Sequence, residues 1–319
     1  MVPPEVAACM AILCVEAAIS VVANGLIIGI NLWDCVKSRS VGTAELILGP
    51  LGATRLCFQC TLLINNLMQF FFSDLITQEM FYKPFMVIWM FLNFSSLWCA
   101  TWLCTFYCVK VANFSSPIFA RLKLGFSKWL PWLLATSWLE SMGCALLLLT
   151  NINSIFGNKQ SPFSGNNTPP AFLAHTSFES WSLICLLGSS LPFFLFAVAA
   201  GLLVASLCRH ARQMQGGGMG EFRNPSVKAH FGAVKAVTLF FLFYASFVIT
   251  LIISAAGVVQ SKGWGNCLCN VVISAYPSLH SVWLMLNNPK LKTACLRILY
   301  SGARYSGSKD AQLAMSTIT

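Results

Sequence analysis

The sequence predicts an all-α membrane protein, a bundle of seven transmembrane helices. Three observations predict it. The 319 residues are 57% hydrophobic and only 9% charged, with a mean hydropathy of +0.71, whereas soluble domains carry about 25% charge. Seven apolar stretches are long enough to cross a bilayer as helices, which takes roughly 20 residues each. The cations gather between alternate stretches. A barrel would show short alternating segments instead, and disorder would need low hydrophobicity and high charge.

The first stretch, residues 6–32, lacks a basic amino-terminal region, contains Glu16 and has no small-residue cleavage site after Trp33. It reads as a retained helix rather than a signal peptide. The second, 45–71, carries Arg55 in its middle, and the third, 85–109, is rich in aromatics. The fourth, 129–149, holds Glu140. The fifth, 181–208, contains Pro192, the sixth, 231–258, runs from Phe240 to Phe247 without a proline, and the seventh, 266–286, has no lysine. Residues 287–319 form the tail, expected on the cytoplasmic side with a short amphipathic helix.

Cytoplasmic loops are enriched in Lys and Arg. Sixteen cations fall on one side: Lys37, Arg39, Lys110, Arg121, Lys123, Lys128, Arg209, Arg212, Arg223, Lys228, Lys235, Lys290, Lys292, Arg297, Arg304 and Lys309. Lys83, Lys159 and Lys262 fall on the other, and Arg55 lies within a span. The amino terminus is therefore expected outside and the carboxyl terminus in the cytoplasm. Asn166-Asn167-Thr168 is a glycosylation sequon in the long loop assigned to the outside. Asn113-Phe114-Ser115 has the same pattern on the side the glycosyl transferase cannot reach. Interspersed cations of this kind are a topology signal. A nucleic-acid binder would gather them on one face of a soluble domain.

Fourteen cysteines would suggest a disulfide framework in a small secreted protein. Here nearly all lie in spans or on the reducing side. The start of the third span and residues 150–180 contain none, so the disulfide joining those places in rhodopsin-like receptors cannot form. Cys267 and Cys269 are the pair read as facing outward. Two residues apart, they are poorly placed to bond each other, and without a histidine they make no metal site. No cofactor is expected.

Intramembrane charges cost about 2.5 kcal/mol or more and usually find a partner. Arg55 reads first as a polar clamp with Asn24 and Ser281, and second as a ligand contact or receptor switch. Glu140 has no obvious partner. On the third span Trp89, Asn93 and Leu97 recur at i, i+4 and i+8 and share a face, with Ser96 beside it. Trp98 points half a turn away. An indole that stacks and an amide that donates and accepts suit a mostly apolar ligand cavity, although buried polar residues also simply join helices.

Several stretches are similar to a known family. They are Ala23-Asn24-Gly25-Leu26-Ile27, Leu51-Gly52-Ala53-Thr54-Arg55-Leu56-Cys57, Trp98-Cys99-Ala100-Thr101-Trp102-Leu103 and the run from Phe106 to Phe119. To these add Leu191-Pro192-Phe193, Ser206-Leu207-Cys208-Arg209-His210, Asn224-Pro225-Ser226-Val227-Lys228-Ala229-His230, Tyr276-Pro277-Ser278-Leu279-His280-Ser281 and Asn288-Pro289-Lys290-Leu291-Lys292. The whole chain resembles the type 2, or bitter, taste receptors. Rhodopsin-like motifs are missing where they would stand: Arg55 replaces an acidic residue, and Phe106-Tyr107 with Lys110 replaces Asp-Arg-Tyr. Two features depart from the bitter pattern, Asn224 in place of Asp and the glycine-rich 216–220 loop.

The resemblance implies a plasma-membrane receptor for small bitter molecules, with agonists at Trp89 and Asn93 and at Asn66, Phe247 and Asn270. The neutral amides at 66 and 270 point to uncharged ligands. It also implies a heterotrimeric G protein of the gustducin or inhibitory type. The docking candidates are Tyr107, Lys110, Arg121, Lys123, His210, Arg212, Lys228, His230, Lys235 and Leu291, most of which also serve as topology determinants or headgroup contacts. Asn24, Arg55, Pro192, His280 and Ser281 would form the structural and activating core.

Other classes fit less well. An intramembrane aspartyl protease needs two aspartates in the spans, and there is no Gly-x-Ser-x-Gly elbow beside His280. A transporter would show internal repeats, and an opsin needs a lysine in the seventh span. The remaining alternative is a seven-helix receptor for another ligand class, such as a pheromone or a metabolite.

Overall fold

The computed structural model describes residues 4–72, 78–112, 117–159, 171–215, 225–255, 258–259, 263–288 and 290–297. Among them, seven helices are long and apolar enough to cross a membrane, and no strand occurs. They are α1 (Pro4–Ser38), α2 (Thr43–Phe71), α3 (Glu79–Val111), α4 (Pro117–Lys159), α5 (Ala171–Gln215), α6 (Pro225–Ala255) and α7 (Trp264–Asn287). Residues 290–297 are again helical.

Most helices outrun the apolar stretches that foretell them. α4 spans 117–159 rather than 129–149, and α5 spans 171–215 rather than 181–208. An apolar run marks only the part inside hydrocarbon, whereas a helix satisfies its own backbone and continues until its ends are set locally. Pro4, Pro117 and Pro225 open α1, α4 and α6, since proline at the first position loses no helical hydrogen bond. α1 stops where the Ser38 hydroxyl donates back to the Asp34 carbonyl at 2.7 Å and Arg39 turns left-handed with φ 52°. α6 ends earlier than its apolar run, at Ala255, and Val258 lies outside it.

α3 is the most enclosed helix and packs against α2, α4 and α5. α1 lies between α2 and α7, and α6 between α5 and α7. One core cluster fills the space around Phe94, Leu97, Tyr244, Phe247 and Tyr276. Another joins Ile27, Ile47, Leu51, Leu103 and Leu130. Large apolar side chains such as Trp132, Leu139, Phe194 and Leu187 face outward. On a soluble monomer so much exposed apolar surface would drive association; on this bundle it faces lipid.

Two glycines set close approaches. A Cβ at Gly188 of α5 would lie 2.5 Å from the Phe94 ring of α3, and one at Gly52 of α2 would lie 3.0 Å from Ile28 of α1. α3 and α5 are further tied where the Thr101 hydroxyl donates to the Pro192 carbonyl at 3.0 Å.

Candidate functional site

The bundle centre is built around Arg55, which is 0% exposed. Its Nε donates to the Ser96 hydroxyl at 3.4 Å and Nη1 to the Ser281 hydroxyl at 3.2 Å. Nη2 donates to His280 Nδ1. A guanidinium has no acceptor, so Nδ1 must be the unprotonated nitrogen of that imidazole. Ser281 donates on to Asn24 Oδ1 at 2.7 Å, and the Asn24 amide donates to the Ser20 carbonyl at 2.9 Å. The guanidinium also lies over the Tyr276 ring, 5.6 Å from its centroid. Arg55, Asn24, His280 and Ser281 thus join α1, α2 and α7 in one polar knot, and Ser96 adds α3. Pro192 lies apart from it, at the α3–α5 contact.

A second polar contact lies toward the starts of α1 and α7. The Gln59 amide donates to Ser274 at 2.7 Å, and Ser278 donates to the Glu16 carbonyl at 3.2 Å.

Beyond it, at the same end of the bundle, is a cavity of about 80 Å³ lined by Leu13, Leu62, Asn66, Trp89, Leu251, Ser254, Asn270 and Ile273. Of the residues expected at an agonist site it collects Asn66, Trp89 and Asn270. Trp89 stacks on Phe58 at 6.2 Å, and the Asn66 amide donates to the Leu62 carbonyl at 2.8 Å. Asn93 is buried one turn further in, and its amide nitrogen has no hydrogen-bond partner. The other three do not line the cavity. Ser96 is taken by Arg55, Leu97 is core, and Phe247 packs on Tyr276 at 4.9 Å.

The opposite end opens into a cleft of about 880 Å³. Tyr107 and Lys110 of α3, Leu203 and Leu207 of α5, Phe240 of α6 and Leu291 after α7 line it. His280 reaches it as well, edge-on to Phe240 at 3.9 Å, so the Arg55 knot forms part of its inner wall. Lys110 lies over the Phe106 ring at 5.5 Å. At the rim Lys290 pairs with Asp34 at 2.9 Å and with Glu45. The Glu45 hydrogen bond, foremost, holds the Lys290 ammonium above its ordinary pKa. The sequence does not reveal these partners of Lys290, because Asp34 and Glu45 are 245 or more residues away.

Of the other basic candidates, Arg121, Lys123 and Lys235 are exposed outside the cleft lining. His210, Arg212, Lys228 and His230 lie in α5 and α6, but their side chains are outside the described set. Asn166 and the Asn113 sequon lie outside the described residues.

Glu140, which showed no partner in the sequence, has one. The Trp98 indole donates to its carboxyl at 2.6 Å, and the Cys144 thiol donates at 3.4 Å. Trp98 stacks on Trp102 at 5.6 Å, whose own indole donates to Ser137 at 2.9 Å. A search for opposite charges misses this, because the donor is aromatic. Among the described residues no group of three or more His, Cys, Asp or Glu could hold a metal.

The taste receptor protein (TAS2R) family model matches residues 1–303. Taste receptor type 2 member 39 of Papio hamadryas is 33% identical over 285 residues, 89% of this chain and 84% of its own length. The Homo sapiens member 39 is 32% identical over 290 residues, covering 91% and 85%. Taste receptor type 2 member 40 of Gallus gallus is 30% identical over 293 residues, covering 92% and 94%. A bundle of seven apolar helices, matched along nearly all its length, leaves no place for an enzyme's reading: the chain belongs to the type 2, or bitter, taste receptor family, multi-pass G protein-coupled receptors of the plasma membrane.

Proposed function

We propose that this receptor takes small, uncharged, largely apolar bitter molecules at the end of the bundle where α1, α3 and α7 begin, and that this end faces outward. The opposite cleft then receives the carboxyl-terminal helix of a gustducin- or inhibitory-type G protein. The observation that carries this reading is the alignment of two cavities along one axis, with the Arg55 knot between them. Trp89 supplies a stacking surface. Asn66 and Asn270 supply neutral amides, and Asn93 holds an amide nitrogen ready for a ligand acceptor.

Ligand pockets usually measure roughly 300–1,000 Å³, so a cavity of 80 Å³ has to widen by displacement of its lining side chains when an agonist enters. Tyr107, Lys110 and Leu291 line this cleft of about 880 Å³, and the Lys110 ammonium in its lining favours an acidic carboxyl terminus.

The test is calcium release against agonist dose in cells carrying a chimeric G protein, corrected for surface expression. Losing a stacked indole should cost about 1–3 kcal/mol, so Trp89→Ala should weaken potency about ten- to a hundred-fold. Asn93→Ala should cost about 1 kcal/mol. Trp98→Phe is the control, because it removes the Glu140 donor and should lower expression while leaving potency alone. Parental potency in Trp89→Ala and Asn93→Ala would place agonists elsewhere. Potency lost only in Trp98→Phe would overturn the assigned helical phase.

A further inference from the structure

Sequence reading paired Cys267 only with Cys269; the fold gives it a different neighbour. Cys9 sits in the second turn of α1 and Cys267 in the first turn of α7, at the same end of the bundle. The Cys9 thiol points at the Cys267 carbonyl, 3.9 Å away, which brings the two residues side by side. Both are free thiols here, Cys9 half-buried and Cys267 buried. Cys14 and Cys269 do not share this face, since steps of five and two residues turn a helix by about 140° and 200°.

One turn further into the bundle the same two helices present Leu13 and Asn270, both lining the 80 Å³ cavity. The Cys9–Cys267 contact therefore sits directly above the seam between two cavity walls.

We propose that Cys9 and Cys267 form a disulfide that staples α1 to α7 over this cavity. The proposal rests on the outward orientation given above, which places both thiols in the oxidising lumen of the secretory pathway during synthesis. The oxidant is a dithiol–disulfide carrier of that compartment. One receptor thiolate attacks a carrier sulfur and forms a mixed disulfide. The second then attacks the receptor sulfur and displaces the carrier. One sulfur–sulfur bond forms on the receptor and one breaks on the carrier. Two thiol hydrogens and two electrons pass from receptor to carrier, which leaves as the dithiol. Once formed, the staple holds Leu13 and Asn270 in fixed relation, so opening of the cavity has to come from α2, α3 and α6.

The experiment uses full-length receptor from the surface of mammalian cells. Free thiols are blocked with N-ethylmaleimide, and the protein is digested with trypsin without reduction. The expected product joins residues 1–37 to residues 263–290. It should be lost on reduction and in Cys9→Ser and Cys267→Ser, and kept in Cys269→Ser and Cys14→Ser. The two single variants and the double variant should share one shift in agonist potency, because the groups act as a unit. An amino-terminal epitope read on intact cells separates the two ideas. A stained surface with Cys9 and Cys267 both alkylated, or with Cys9 linked to Cys269, overturns the staple alone. An epitope reached only after permeabilisation overturns the orientation and the staple with it.

Discussion

Arg55 is a cation held entirely by neutral groups: two hydroxyls, an imidazole and the face of a tyrosine. A guanidinium tolerates this because its charge is delocalised and its donors are spread in a planar fork. The cost of removal lies in what is left behind. Arg55→Ala leaves Ser96, His280 and Ser281 with buried groups unpaired, at about 1–3 kcal/mol, and should lower surface expression and maximal signalling without reordering agonists. Arg55→Lys should not rescue it, since one ammonium cannot reach all three partners. Surface epitope counts with dose–response curves check this, and normal expression with altered agonist preference would contradict it. Glu140 teaches the converse. Its charge is evident in the sequence, but its partner is the Trp98 indole, 42 positions away.

At the level of the helix pair, α3 and α5 meet where Gly188 receives the Phe94 ring. An added methyl there would lie 2.5 Å from ring carbon against a side chain that is 0% exposed, so neither partner can give way. Overpacking of this kind costs about 1–3 kcal/mol. Gly188→Ala should lower the unfolding temperature of the solubilised receptor, and Phe94→Leu should partly restore it. Gly201→Ala, on the same helix with nothing within 4 Å, should be neutral or slightly stabilising through helix propensity. Equal loss in both alanine variants would show that the Phe94 contact is not what makes position 188 sensitive.

At the scale of the whole molecule, the orientation expected in the membrane rests on the distribution of charge. With sixteen loop cations against three, the long loop holding Asn166 should face the lumen, and that holding Asn113 should not. Endoglycosidase should shift the parent protein and an Asn113→Gln variant alike, and leave Asn166→Gln unmoved. An undiminished shift in Asn166→Gln would reverse the topology. The Lys290 contacts with Asp34 and Glu45 lie at the rim of the cleft proposed to face the cytoplasm. There the residues after α7 are anchored to the ends of α1 and α2 beside the open cleft.

The number of helices, their approximate centres and the family were legible in the sequence by itself, because crossing a bilayer demands a length and composition that any 20-residue window reveals. The shared face of Trp89 and Asn93 was legible for the same kind of reason, since helical phase is a local property. What followed from contacts between helices was not. Ser96 and Leu97 lie on or beside the Trp89 face, yet one is bound to Arg55 and the other is core, while Phe247 packs on Tyr276 instead of lining the cavity. Cys9 reads as one more residue of an apolar run until α7 is laid beside it, and Lys290 as one more cation of the topology signal until the end of α1 and the start of α2 are found next to it. Helical period fixes which residues share a face; only the packed bundle decides what each face meets, because that depends on partners tens to hundreds of residues away.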